Sequence, residues 1–188
     1  MEDGSTNLEP FYGPRSLYKQ PRTCDTLPME IRTEYAVSEI GRTLIGRLLP
    51  GTDLVPGILS ICSESGIRFG YVASLVGSLT RARFIYVNKA PGKDEGFVFS
   101  KPVEKAGPLE ILSAQGTLGE GEDGKPFLHL HALLCDEKDR ISGGHILETG
   151  CPVLATIEVV IRETRGIRLI RGPDEETGVN LFRVSSGF

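Results

Sequence analysis

Alternating apolar and polar positions dominate the chain from Tyr35 onward, and they predict strands far more often than helices. Residues 43–49 form a short apolar run that stops at the turn pair Pro50-Gly51. Asp53 is placed to cap a helix running to about Glu64, with Pro56 in the first turn, where its missing N–H costs nothing. Leu54, Ile58, Ile61 and Cys62 share one face of that helix, and Gly66 closes it. Residues 69–76 and 81–87 then read as two strands around Gly77-Ser78. Further strands follow at 97–99, 110–118, 127–134, 153–161, 167–170 and 179–184, separated by Gly- and Pro-containing turns, with a hairpin expected at Thr164-Arg165-Gly166. Many strands, one good helix and no regular strand–helix alternation predict an α+β domain on a mainly antiparallel sheet.

The two ends differ from this pattern. Residues 1–34 carry Pro10, Pro14, Pro21 and Pro28 without sustained periodicity, and read as an extended Pro-rich arm whose Phe11, Tyr12, Leu17, Tyr18 and Leu27 could drape over a neighbouring surface, or as a disordered leader. The expected organisation is an arm at 1–34, a domain at 35–172 and a tail at 173–188.

Composition narrows the class. A chain of 188 residues, 39% hydrophobic and 24% charged, can bury a proper core without disulfides or a structural metal. Twenty-one Lys and Arg against 25 Asp and Glu give a net charge of −4, which argues against general attraction to phosphate backbones. Met1-Glu2-Asp3-Gly4 has neither a basic nor an apolar leader character, and the longest apolar stretch is too short to span a bilayer. Cys24, Cys62, Cys135 and Cys151 are scattered and form no CxxC pair, as expected for reduced thiols of a cytoplasmic protein.

The histidines carry the chemical signal. All three, His129, His131 and His145, fall within seventeen residues, in Phe127-Leu128-His129-Leu130-His131-Ala132 and Gly143-Gly144-His145. On a strand the period of two puts His129 and His131 on one face and Leu128, Leu130 and Ala132 on the other. Two such imidazoles can converge on one ion at about 2.0–2.1 Å, the usual zinc–nitrogen distance. His145 can join them by chain reversal through 136–139, but parity matters. A two-residue loop at Glu137-Lys138 would put His145 opposite Leu130, on the wrong face. An odd loop, or one extra residue at Gly143-Gly144, brings it opposite His129 or His131. Three protein ligands leave a tetrahedral ion one open position, the layout of a catalytic or ligand-binding site. Asp136, Glu148 and Cys135 are candidates for a fourth ligand or an acceptor for an imidazole N–H, and Glu148 is the preferred proton carrier if the protein is an enzyme. The alternative is three histidines serving as hydrogen-bonded sheet residues.

Other signals are weaker. Arg162, Arg165, Arg168 and Arg171 recur every third residue, but Asp174-Glu175-Glu176 follows, so a solvated mixed-charge edge is favoured over a phosphate stripe. Residues 119–124 are glycine-rich but acidic, a flexible turn rather than a phosphate cradle. No GxGxxG, Walker-type loop or GxSxG elbow is present.

Pro50-Gly51 with its helix, Gly77-Ser78-Leu79-Thr80-Arg81-Ala82, Ile111-Leu112-Ser113-Ala114-Gln115-Gly116-Thr117, the run from Lys125 to His131, Gly143-Gly144-His145 and Ala155-Thr156-Ile157-Glu158-Val159 resemble, in this order, the plants-and-prokaryotes-conserved (PPC) domain. The resemblance covers about residues 36–170. It implies a stand-alone prokaryotic member with a homotrimeric α+β fold and, at His129, His131 and His145, a metal site for zinc or another divalent transition metal. Plant members join this domain to AT-hooks that bind A·T-rich DNA, which makes a DNA-associated module the alternative. This chain lacks an Arg-Gly-Arg-Pro core, Arg171-Gly172-Pro173 being the nearest approach, so DNA binding is not carried over. The fold is also similar to that of acetolactate decarboxylase and related zinc-dependent ester hydrolases, which hold zinc with an HxH pair and a further histidine. The expectation is a cytoplasmic trimer that binds a divalent metal and offers its open position to a small anionic or carbonyl ligand, with no membrane partner.

Overall fold

Among the described residues, the alternation seen in the sequence becomes one large sheet, a small two-stranded ribbon and one helix. The structure, a computed structural model, describes residues 32–91 and 96–187. The Pro-rich segment up to residue 31, with Cys24, lies outside the described residues. In chain order the elements are β1 (Glu39–Leu48), α1 (Leu54–Glu64), β2 (Gly70–Ile85), β3 (Val87–Lys89), β4 (Phe97–Phe99), β5 (Val103–Gly121), β6 (Pro126–Asp136), β7 (Ile141–Ile146), β8 (Val153–Arg165), β9 (Ile167–Pro173) and β10 (Asn180–Ser186). Eight strands form one sheet in the order β1-β8-β2-β7-β6-β5-β9-β10, while β3 and β4 make a separate ribbon. All pairings are antiparallel except β5 with β9, so the fold is α+β on a mainly antiparallel sheet.

The helix begins and ends where its sequence signals stand, but Asp53 does different work from that expected. It occupies the N-cap position without a side-chain capping bond. Its carboxylate instead accepts hydrogen bonds from the backbone N–H groups of Gly150 at 2.7 Å and Cys151 at 2.9 Å, tying the loop before β8 to the helix start. At the other end Gly66 adopts φ +69°, and the Gly66 and Ile67 N–H groups donate to Ser63 and Cys62. That is a Schellman closure, which the missing Cβ of glycine makes inexpensive.

Residues 69–76 and 81–87 are not two strands. β2 runs unbroken for 16 residues and absorbs its irregularities as bulges between Val72 and Ser74 and between Gly77 and Leu79. Along one edge it pairs with β5; along the other it pairs first with β8 and then, at Phe84 and Ile85, with β7. Since β5 pairs with β6 and β6 with β7, the four strands β2, β5, β6 and β7 close a ring. The hairpin expected at 164–166 is also absent. The chain turns at Gly166, but β9 leaves β8 and runs parallel to β5, with Ile170 opposite Glu120 and Arg171 opposite Gly121. The expected tail is part of the sheet, because β10 pairs along the whole of β9.

The core lies on the inner face of the sheet, under α1. Leu54, Ile58 and Cys62 of α1 pack with Leu128, Leu130 and Leu134 of β6 and Ile157, Val159 and Ile161 of β8. Each fully buried Leu or Ile side chain contributes about 2 kcal/mol. Three carboxylates are buried with these apolar groups and all are paired: Glu120 with Arg68 at 2.7 Å, Glu163 with Arg42 at 2.7 Å and Asp136 with Arg140 at 2.8 Å. Residues 119–124 are therefore not wholly a turn; β5 extends to Gly121, and only the reversal around Gly124 is loop. Among the described residues no helix is long and apolar enough to cross a membrane.

Candidate metal centre

β6 sets two of the three imidazoles. Its even-numbered residues from Leu128 to Asp136 are buried, so His129 and His131 project from the opposite face. The third comes from β7, whose register places His145 opposite His131, Gly144 opposite Ala132 and Gly143 opposite Leu133. Asp136 and Arg140 close a loop of three residues, with Asp139 at φ +57°. Of the two ways to bring His145 onto the histidine face, the chain uses the odd loop. No bulge occurs at Gly143-Gly144. Those glycines serve close approach instead, because a Cβ on Gly143 or Gly144 would collide with the carbonyl oxygen of Ala132 or Ile85.

The three rings converge. Their centroids are 5.0 Å apart for His129–His131, 4.8 Å for His129–His145 and 5.5 Å for His131–His145. Each offers a ring nitrogen, and these atoms all lie within 4.8 Å of one another. The Nε2 atoms of His129 and His131 are 3.1 Å apart. Two nitrogens bound at about 2.05 Å to one tetrahedral ion would be about 3.3 Å apart, so the donor set fits such an ion with small adjustment.

Electrostatics favour the neutral, ligating form of His129 and His145. Burial pushes the His129 proton affinity down, helped by His131 and Arg171. Burial lowers His145 further, to about 4, with His129, His131 and Arg171 adding to it. Both rings therefore keep a free lone pair at neutral pH.

The acidic helpers expected from the sequence lie elsewhere. Asp136 belongs to the buried even-numbered face of β6, and its carboxylate accepts from the Lys138 and Arg140 backbone N–H groups and the Arg140 side chain. It holds the β6–β7 turn and does not meet an imidazole. Cys135 shares the histidine face but sits four residues beyond His131, about 13 Å along the strand, and its thiol donates to the Asp136 carbonyl. β7 ends at Ile146, so Glu148 has already left the sheet. It is exposed and lines a different hollow with Val55, Pro56 and Lys125, one that shares Arg171 and Asn180 with the histidine cavity.

Two hollows do touch the histidines. A shallow one of about 650 Å³ is bounded by Tyr71, Gln115, Thr117, His129 and His131. A deeper one of about 450 Å³ touches all three histidines and is lined by Tyr86, Phe97, Phe99, Arg171, Leu181 and Phe182 among others. Neither is lined by a carboxylate among the described residues. Arg171 is the residue that sequence reasoning missed. It was grouped with a solvated arginine edge, which Arg168 does join as an exposed residue. Arg171 instead stacks its guanidinium 4.2 Å from the centre of the Phe127 ring and faces the histidine cavity. The parallel pairing of β9 with β5 puts it there, and no local pattern announces that pairing.

Relatives share this architecture. Residues 35–165 match the Plants and Prokaryotes Conserved (PCC) domain. The bifunctional protein GlmU of Synechococcus sp. (strain JA-3-3Ab) is 34% identical over 132 residues, which are 70% of this chain but 19% of GlmU. The chain thus spans about a fifth of that relative's length. A metal-containing protein from Archaeoglobus fulgidus superposes with a TM-score of 0.65 at 31% identity, covering 80% of this chain and 99% of the other. A PPC protein from Pyrococcus horikoshii superposes with a TM-score of 0.67 at 23% identity, covering 80% and 97%. A candidate DNA-binding protein from Ralstonia eutropha JMP134 reaches 0.59 at 22% identity, covering 73% and 88%, and shares the fold. The matched residues and the superpositions agree: the chain belongs to the Plants and Prokaryotes Conserved domain family.

Proposed function

We propose that this chain is a self-associating metal-binding domain. His129, His131 and His145 hold a divalent transition metal, zinc by preference, and leave one coordination position open to a small anionic or carbonyl ligand. The observation that carries this reading is the convergence of three ring nitrogens within 4.8 Å. Three imidazoles without carboxylates suit zinc, copper, iron or nickel better than magnesium or calcium. The Archaeoglobus fulgidus relative described as metal-containing, at 31% identity, adds support. Bound there, such a metal would polarise a carboxylate or carbonyl oxygen or activate a water.

Association into a homotrimer is the second part of the proposal. The sheet face that bears the histidines also bears exposed Ile45, Val76, Leu112 and Leu133, and apolar side chains so grouped are usually covered by a partner. Val76 and Leu112 are neighbours across β2 and β5, and Leu133 follows on β6.

The test is elemental analysis of untagged protein beside the His129→Ala/His131→Ala variant. About one metal per chain is expected, lost in the variant; a metal-free native protein would falsify the reading. Light scattering on the same samples reports the assembly, with a monomer counting against the trimer. DNA association is the weaker alternative. The net charge is −4, and half-buried Arg162 and exposed Arg165 are engaged with Thr43 and Glu163. Retardation of A·T-rich duplex at low salt, fading as salt rises, would support it.

A further inference from the structure

Six of the fifteen residues that line the deeper cavity beside the histidines lie outside the matched family region, which ends at 165. Arg171, Val179, Leu181 and Phe182 come from β9, the turn after it and β10. Arg171 and Phe182 are cross-strand partners. Phe182 meets the Phe127 ring edge-on at 5.8 Å, and Arg171 lies over that same ring. The guanidinium is thus fixed by stacking, with no carboxylate forming an ion pair with it among the described residues.

A cation held by ring stacking beside the histidine cluster is arranged to receive an anion. The rest of the wall decides what kind. Tyr86, Phe97, Phe99, Leu181 and Phe182 line the cavity, and apart from the histidines and Arg171 the side chains there that can hydrogen-bond are Tyr86, Thr177 and Asn180. A sugar or nucleotide would leave many polar groups unpaired in such a space. A single negative charge on an apolar body would not. We propose that this cavity binds a monocarboxylate with an apolar or aromatic body, its carboxylate between the histidine cluster and Arg171 and its body against the aromatic walls. The inference deepens the metal-binding reading and rests on it for one of the carboxylate's two holds. A volume of about 450 Å³ is ample for a phenyl or branched aliphatic group.

Calorimetry with phenylacetate as probe tests this, on zinc-loaded and on chelator-stripped protein, with acetate and phenylacetamide as comparisons. Phenylacetate should bind zinc-loaded protein at least tenfold more tightly than either comparison. Arg171→Met, which keeps the stem over Phe127, should weaken it at least tenfold, and Arg171→Lys should restore part of the loss. Phe182→Ala should weaken phenylacetate and leave acetate unchanged; unaltered melting of the variants shows that they fold. Equal binding of phenylacetamide, or no effect of Arg171→Met, overturns the proposal. If zinc binds at about one per chain while phenylacetate binds no better than acetate, this inference fails and the metal reading stands. If zinc does not bind but Arg171-dependent phenylacetate binding persists in the stripped protein, the metal reading fails and the carboxylate cavity stands.

Discussion

His145 is the cross-strand partner of His131. The pairing makes one imidazole cluster from two sequence-distant motifs, and it follows from the three-residue loop that Asp136 and Arg140 close. The same residue, His145, lies opposite Ile85 of β2 on its other side, so the cluster stands where the ring of strands closes. The site is therefore only as well placed as β7 is docked.

Gly144→Ala tests that docking. The new methyl group would meet the Ile85 carbonyl oxygen and force β7 away from β2. Melting should fall by several degrees, corresponding to about 1–3 kcal/mol. Zinc affinity, measured by competition with a chromogenic chelator, should fall at least tenfold.

The imidazoles predict an acid limit. Free histidine titrates near about 6.5, whereas burial and the neighbouring cations bring His145 to about 4. Between those values the unfolded chain binds more protons than the folded one, so stability contributed by neutral His145 is complete above the upper value and lost as pH falls toward the lower. Metal-free protein should melt at progressively lower temperature over that window. An NMR titration should find one imidazole with a midpoint near 4, and bound metal should be released over the same fall in pH.

Asp136 predicts a second, lower limit. Hydrogen bonds from Arg140, the Lys138 and Arg140 backbone and Lys105 hold its carboxyl far below the usual carboxylate range. A lowered folded value means stability present above the unfolded value, about 3.9, and lost as pH falls through and below it. Asp136→Asn should lower stability at neutral pH, because Lys105 and Arg140 lose their charged partner. It should also flatten the acid dependence of urea unfolding below about pH 4.

Asp53 separates capping from tethering. If its value lay in capping α1, Asn would replace it with little loss. Each carboxylate oxygen instead takes one backbone N–H, from Gly150 and from Cys151. Asn has a single acceptor oxygen, so Asp53→Asn should cost about 1–2 kcal/mol in chemical denaturation, and Asp53→Ala somewhat more. Wild-type stability for the Asn variant would show that the tether is unimportant.

Period-two alternation, turn residues and the Pro50-Gly51 stop made the strand-rich class, the helix and the face shared by His129 and His131 legible, because each depends on neighbours a few residues apart. The merging of two expected strands into β2 was not legible. Bulges let a long strand keep its inner face while its register slips, and Gly77-Ser78 reads equally well as a turn. The place of Glu148 was hidden for a similar reason: closeness in sequence to His145 says nothing once β7 has ended at Ile146.

By itself the sequence determined which residues could carry chemistry and which strand face they would share, since backbone geometry alternates side chains whatever lies beyond. It determined the helix limits as well, through Pro56, Gly66 and the apolar face of α1. Only the tertiary structure decided that an odd loop would bring His145 to His131, and that β9 would leave β8 to run beside β5 and set Arg171 against the histidines. Those outcomes depend on which edges of which strands find hydrogen-bond partners across the sheet, a competition settled by the whole chain at once rather than by any short stretch of it.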